Sequence, residues 1–172
     1  VFLRDGGQAG PVNLCAGDGS GGSCPCLNFG VFARGCANSA LSLGAGLISG
    51  GVPSLSSSTL VLVATGETPS AASIFLQGTA LITPQAFGDG LRCTGGTLLR
   101  LYLKNASGGT VSAPGAGDAS IPQRSAALGD TIPVGATRFY QTYYRDPDPT
   151  FCPAPAGNTW NVTQALAVVW SS

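Results

Sequence analysis

The sequence predicts an all-β protein: an antiparallel β-sandwich, jelly-roll or Ig-like, with a small disulfide-pinned segment near its N-terminus. Three observations predict it. From Ala40 onward, short apolar and β-branched runs alternate with glycine, proline and serine, the pattern of many short strands joined by turns. The stretch Thr137–Arg145, TRFYQTYYR, sets Phe139, Gln141 and Tyr143 on one face and Tyr140, Thr142 and Tyr144 on the other. So many aromatic and β-branched side chains fit a part-buried pleated surface better than a helix. Finally, four of the six cysteines fall between Cys15 and Cys36, in a stretch dominated by glycine and serine.

The 172 residues suffice for one domain with a substantial core. We divide them into an N-terminal arm (residues 1–14), a disulfide-rich loop segment (15–39) and a sandwich domain (40–172). The arm, VFLRDGGQAGPVNL, starts apolar and then turns polar and glycine-rich. Its apolar residues Val1, Phe2, Leu3, Val12 and Leu14 need a surface to cover, on their own domain or on a neighbouring subunit. Burying the first three side chains contributes roughly 5–8 kcal/mol. Ordering about a dozen residues costs on the order of 12–20 kcal/mol in backbone entropy. Val12, Leu14 and main-chain hydrogen bonds must therefore share the work.

In the next segment, Cys24-Pro25-Cys26 brings two cysteines too close to bond to each other in ordinary geometry, so each must reach elsewhere. Even cysteine numbers and an oxidising compartment go together, which favours disulfides over a four-thiolate zinc site and places the protein outside the cytoplasm. Many pairings stay open. Cys93 with Cys152 is preferred because both flank predicted strands, leaving Cys15, Cys24, Cys26 and Cys36 to pair among themselves.

Strands are expected at Ala40–Gly44, Thr59–Thr65, Ser73–Gln77, Thr79–Thr83, Thr97–Lys104, Thr110–Ala113, Thr137–Arg145, Thr159–Thr163 and Gln164–Trp170. In Thr97–Lys104, Leu99, Leu101 and Leu103 should point one way and Arg100, Tyr102 and Lys104 the other. Leu60–Ala64 is apolar on both faces and should lie deep in a sheet. Only Asp118–Leu128 reads as a helix, with Asp118 as N-cap, Pro122 in the first turn and Gly129 as the stop. Asp146-Pro147-Asp148-Pro149 ends the aromatic strand, since each proline removes a donor and holds its predecessor extended.

These blocks carry a resemblance. GDGSGGSCPC and GCANS near the start, FLQGT (Phe75–Thr79), FGDGLRC (Phe87–Cys93), YQ-x-x-YRD (Tyr140–Asp146), FC (Phe151–Cys152) and N-x-T (Asn161–Thr163) resemble a family of uncharacterised, secreted, cysteine-containing proteins. The family occurs in planctomycetes and other large-genome Gram-negative bacteria. The span PAPAGNTW after Cys152 is longer than the family's. The resemblance implies secretion and an all-β module, and it transfers no activity.

Composition narrows the function. Lys and Arg together equal Asp and Glu, so no net charge steers the chain toward nucleic acid or an anionic membrane. No apolar run is long enough to span a bilayer. The missing initiator methionine is read as processing after a signal peptide. Without histidine, neither a Ser-His-Asp triad nor a histidine metal site can be built. The carboxylates Asp89, Asp118, Asp130, Asp146 and Asp148 sit in turn chemistry, where acidic residues are ordinary turn formers rather than a glycosidase pair. Asp18, Ser20 and Asp5 offer oxygen ligands for calcium without an EF-hand spacing.

No catalytic residue, metal or cofactor is therefore expected. Asn105 and Asn161 match the glycosylation acceptor pattern, and Ser54–Thr59 offers hydroxyls for O-linked sugar. Tyr140, Tyr144, Trp160 and Trp170 would stack on a glycan if exposed. The expected function is structural: a secreted, non-enzymatic subunit of an extracellular fibre or surface layer, whose partners are identical subunits joined by strand exchange. The donor is the N-terminal arm or, alternatively, Val52–Thr65. A secreted carbohydrate-binding module is the alternative.

Overall fold

The computed structural model describes residues 3–4, 8–9 and 12–172. Two antiparallel sheets face each other across one core. The larger has six strands: β3 (Val12–Leu14), β6 (Ala72–Phe87), β7 (Gly90–Asn105), β9 (Thr137–Arg145), β10 (Trp160–Val162) and β11 (Ala165–Val169). Their order is β3-β11-β9-β6-β7, with β10 continuing beside β9 where β11 leaves off. The smaller sheet is β4 (Gly46–Gly50), β5 (Val61–Thr65) and β8 (Thr110–Ala113), with β5 in the middle. A short hairpin, β1 (Leu3–Arg4) with β2 (Gln8–Ala9), precedes both.

The aromatic strand β9 is central, flanked by β6 on one side and by β10 and β11 on the other. Tyr140 and Tyr144 on its inner face are fully buried with Phe75, Leu101, Leu166 and Trp170, and Leu47, Leu60, Leu62 and Ala64 of the small sheet close over them. Leu62 and Ala64 point into this core, but Val61 and Val63 stay half-exposed, so the strand is buried on one face only, not on both as its composition predicts.

The expected strands Ser73–Gln77 and Thr79–Thr83 are one strand, β6, interrupted by bulges at Phe75/Leu76, Gly78/Ala80 and Leu81/Gln85. Bulges bend a strand and tighten its twist. Here they fold the far half of the β6–β7 hairpin back over the outer face of β9 and β10. At the bend, the two backbones touch: a Cβ on Gly78 would lie 2.4 Å from the carbonyl oxygen of Gly95, so only glycine fits. The tip closes with Gly88-Asp89, a positive-φ glycine leading a two-residue turn.

A bulge also breaks the expected alternation in Thr97–Lys104. Phe75 pairs with Tyr102 but Leu76 pairs with Arg100, which leaves Leu101 unpaired between them. Leu101 and Tyr102 are consequently both buried, and Leu103 is exposed rather than facing with Leu101.

Ala40–Gly44 is not a strand. The Asn38 side chain accepts the N–H groups of Ala40 (3.0 Å) and Leu41 (2.8 Å), an Asx turn that diverts the chain until Gly46. The helix, α1 (Ile121–Ala127), starts after Ser120 rather than Asp118, with Gln123 accepting the Ser120 N–H at 3.1 Å. Asp118 instead closes a turn onto the Gly115 N–H (2.7 Å) and pairs with Lys104 (2.6 Å). Pro122 does lie in the first turn, and Gly129 follows the helix at φ 99°.

A buried polar chain anchors the helix to the sheet, with Gln77 of β6 donating to the Ser125 hydroxyl of α1 at 2.6 Å. Trp170 donates to Tyr140 (3.0 Å), Tyr140 to Gln77 (3.0 Å) and Gln77 to Asp130 (2.9 Å). Asp130 also takes two hydrogen bonds from Arg138, both 2.7 Å. The guanidinium holds the Asp130 carboxyl below the usual carboxylate range.

Candidate functional site

The region that sets this chain apart from a plain sandwich is its N-terminal quarter. Val12–Leu14 pairs antiparallel with Ala165–Ala167, so the last residues of the arm form the outermost strand of the large sheet. Val1 and Phe2 lie outside the described residues. Leu3 lies in the β1–β2 hairpin, paired with Ala9.

Immediately after β3, Cys15 turns the chain at φ 60°, a left-handed conformation that costs a non-glycine residue about 1–2 kcal/mol. Leu27 (φ 56°) and Ala33 (φ 61°) do the same, and all the left-handed non-glycine residues among those described lie in this segment.

Cross-links hold the segment there. The bridges are Cys15–Cys93, Cys24–Cys36 and Cys26–Cys152. This corrects two expectations: Cys93 does not pair with Cys152, and only one bridge is internal to the segment. Cys152 lies beside Asp89 at the hairpin tip, as a Cβ on Gly157 would lie within 2.5 Å of the Cys152 sulfur and of an Asp89 carboxylate oxygen. Cys93 is four residues of extended chain farther along β7, roughly 13 Å, beyond disulfide reach. Each therefore takes its partner from the loop segment. The segment is not an independent knot but a flap bolted to the sandwich at two points.

Its contact with the sandwich combines a small apolar cluster, Leu91 of β7 against Cys24, Cys36 and Cys15, with a set of polar contacts. Asn28 donates to the carbonyls of Ala37 (2.8 Å) and Asp89 (2.9 Å), and Asn38 to Gly66 (2.8 Å) and the Tyr144 hydroxyl (2.9 Å). The Ser39 N–H donates to Asp146 at 2.9 Å, and its hydroxyl reaches the other carboxylate oxygen. Ser39 is thus a partner of Asp146. From the sandwich side, Asn161 donates to Ala37 at 2.8 Å.

Beneath the folded-back hairpin, Gln141 does a comparable job. Its side-chain oxygen accepts the N–H groups of Cys93 (2.8 Å) and Thr94 (2.9 Å), and its nitrogen donates to the carbonyls of Leu91 (3.0 Å) and Thr163 (2.8 Å). Cys93 needs this because the Leu81/Gln85 irregularity leaves it without a ladder partner.

Two buried carboxylates border the same region. Glu67 accepts from the Ser73 hydroxyl, and burial pushes it up to about 7. Asp89 accepts the Asn158 N–H at 2.6 Å, and burial, with the nearby Asp146, pushes it up to about 6. One oxygen of each has no protein partner.

The remaining sequence candidates separate cleanly. Tyr140, Tyr144 and Trp170 are sealed in the core and present nothing to a glycan. Trp160 is half-buried, edge-on to Phe87, which meets Tyr143 in turn. Asn161 is 0% exposed, so its acceptor motif is structural, whereas Asn105 is exposed at the end of β7. Asp18 is engaged by its own turn with Ser20, Asp148 by Thr150, and Asp5 lies outside the described residues.

Among the described residues, no group of metal-ligating side chains is assembled and no helix is long and apolar enough to cross a membrane. Compared with known proteins, the chain matches no family model, no curated protein and no solved structure. The motifs YQ-x-x-YRD and N-x-T place Tyr140, Gln141, Tyr144, Asp146, Asn161 and Thr163 in buried positions.

Sequence reasoning missed Gln141, Asn28 and Asn38. A polar residue inside an aromatic strand, and asparagines amid cysteines, were the available signals.

Proposed function

We propose that the protein is a structural, non-catalytic subunit of a secreted extracellular fibre or surface layer, in which the N-terminal arm of one copy completes the large sheet of the next. The observation that carries this reading is the position of β3. It is a three-residue edge strand held on one side only by β11, and its hinge is the strained Cys15. Strained hinges next to an exchangeable edge favour swapping, because the exchanged contacts equal those given up while the hinge relaxes. Head-to-tail exchange need not close on itself, and open repetition yields a filament. Main-chain bonds to Ala165–Ala167 supply affinity and alternate side chains supply register.

The alternative donor, Val52–Thr65, is less suited. Its strand half is β5, which would have to leave ladders on both sides. Three disulfides accord with an oxidising, extracellular setting. Any attached N-linked glycan belongs on Asn105, clear of both the arm and β11.

Deleting residues 1–13 tests the reading by negative-stain electron microscopy. The full chain is expected to form fibres and the truncated chain to stay dispersed. Identical fibres from the truncated chain would remove the arm as connector.

A further inference from the structure

We propose that the outer face of the disulfide segment, carried by Leu27, Phe29, Val31, Phe32 and Leu43, is a docking surface for a second copy of this chain. The inference rests on the assembly reading above and adds a second contact to it.

Apolar residues of a folded chain ordinarily face inward. In this segment five keep a large exposure, Phe32 at 81% and Leu27 at 71%, and Phe29, Val31 and Leu43 between 40% and 46%. Meanwhile the inward face carries Asn28, Asn38 and Ser39, hydrogen-bonded to the sandwich. Cross-links, asparagine side chains and the small cluster of Cys24, Cys36 and Leu91 hold the flap, and none of the five belongs to that cluster. Leu27 is even presented from a left-handed backbone.

Leu27 to Phe32 are neighbours in sequence, and the Val31 N–H donates to the Leu43 carbonyl at 3.1 Å, which brings Leu43 beside that run. The five expose on the order of 500 Å², at the upper end of what monomers leave uncovered. That is more than half of the ~800 Å² per partner of a standard stable interface.

Charge selects the occupant. Between Cys15 and Leu43 the only charged residues are Asp18 and Arg34, and the Arg34 guanidinium donates inward to the Gly44 carbonyl at 2.9 Å. The ridge has no cationic rim of the kind that recruits a helix or loop to anionic lipid. A partner equally poor in charge suits it, and this chain, with zero net charge, does not repel itself.

Connectivity points the same way. The arm joins the segment at Cys15, and Gly17 two residues on bonds both to Arg34 (2.7 Å) and to Gly30 (2.9 Å). Arm base and ridge therefore form one unit, and a neighbour that receives the arm is drawn against the ridge.

The test uses the full chain carrying Leu27→Ser and Phe32→Ser together, followed by sedimentation velocity over a range of concentrations. Two exposed apolar anchors lost from an interface should weaken self-association by about thirtyfold or more. Unchanged association overturns the proposal. Co-flotation of the wild-type chain, but not the variant, with phosphatidylcholine–phosphatidylglycerol vesicles also overturns it, because the ridge would then serve lipid.

The two assembly readings fail separately. Fibres that persist in the ridge variant but vanish on arm deletion sink the ridge alone. A dimer abolished by the ridge variant, formed by a chain that never makes fibres, upholds the ridge and sinks the fibre. Should the double variant misfold, Phe32→Arg alone, at the most exposed of the five positions, gives the same comparison.

Discussion

In the sandwich, Phe75, Tyr140, Tyr144 and Trp170 are withdrawn from water completely, while in the segment from Cys15 to Leu43 the apolar side chains Leu27 and Phe32 keep most of their exposure. The first region is held by area: two sheets bury an apolar layer, and the geometry of each strand follows from what it covers. The second is held by bonds, three disulfides and a set of asparagine and serine contacts, and it tolerates left-handed backbone at Cys15, Leu27 and Ala33 as a result. The difference teaches that cross-linking frees side chains. A loop that builds only a small apolar cluster can turn other apolar residues outward.

The largest expected effect comes from cutting a bond between the two regions. Replacing Cys26 and Cys152 by serine opens a bridge with a sequence separation of 126 and should cost about 4–5 kcal/mol in the chain-entropy model. Urea unfolding measures the loss. Hydrogen exchange should show amides of the segment losing protection before those of β6 and β9. Simultaneous loss in both regions would break the comparison.

Next comes Gln141→Leu, which keeps volume but strands the N–H groups of Cys93 and Thr94 and the carbonyls of Leu91 and Thr163. Unsatisfied buried backbone groups cost roughly 1–3 kcal/mol each, so a total near 3–5 kcal/mol is expected after partial relaxation. A loss below about 1 kcal/mol would show that the folded-back hairpin is held by its disulfide alone.

The pH profile follows. Glu67 lies near its midpoint at about 7 in the folded chain, against about 4.5 in the unfolded one. The folded state therefore binds more protons between those values, and stability falls as pH rises through them. The contribution is complete below about 4.5 and lost by just above 7, at most roughly 3 kcal/mol in all. Asp89 acts in the same direction up to about 6. Thermal unfolding should show higher stability at pH 5 than at pH 8, and Glu67→Gln should flatten the slope.

The smallest effect sharpens the comparison from the other side. Ala33→Gly removes the Cβ from a left-handed position and should stabilise the segment by up to about 1 kcal/mol. The same substitution at Ala64 of β5, buried at 0% exposure with ordinary strand backbone, should destabilise.

What could be read in advance follows this same division. Strand β9, the span of β8 and the end of α1 at Gly129 depend on local periodicity and turn chemistry, and they lie where the residues place them. The all-β sandwich follows from the same signals. The disulfide partners of Cys93 and Cys152 depend on how the hairpin folds back, which the bulges near Gly78 and Leu81 decide. A bulge adds a residue to one strand without a compositional mark, so Leu103 could not be assigned to its face from alternation. Asn161 shows the converse failure: its three-residue motif is plain in the sequence, yet burial, invisible there, withdraws it from any modifying enzyme. The arm was legible as a segment needing a surface, and its last three residues have one along β11.

The Cys15–Cys93 bond joins the root of the arm to β7 near its start. In a strand-linked polymer, tension arriving through the arm would pass across that bond rather than along the covalent chain between the two cysteines. The pull would enter the body at β7 and traverse β6 and β9 to the receiving edge at β11. The cysteine would act as a cleat, and a stretched thread of this proposed kind would slip at the joints between subunits before any one of them unravelled.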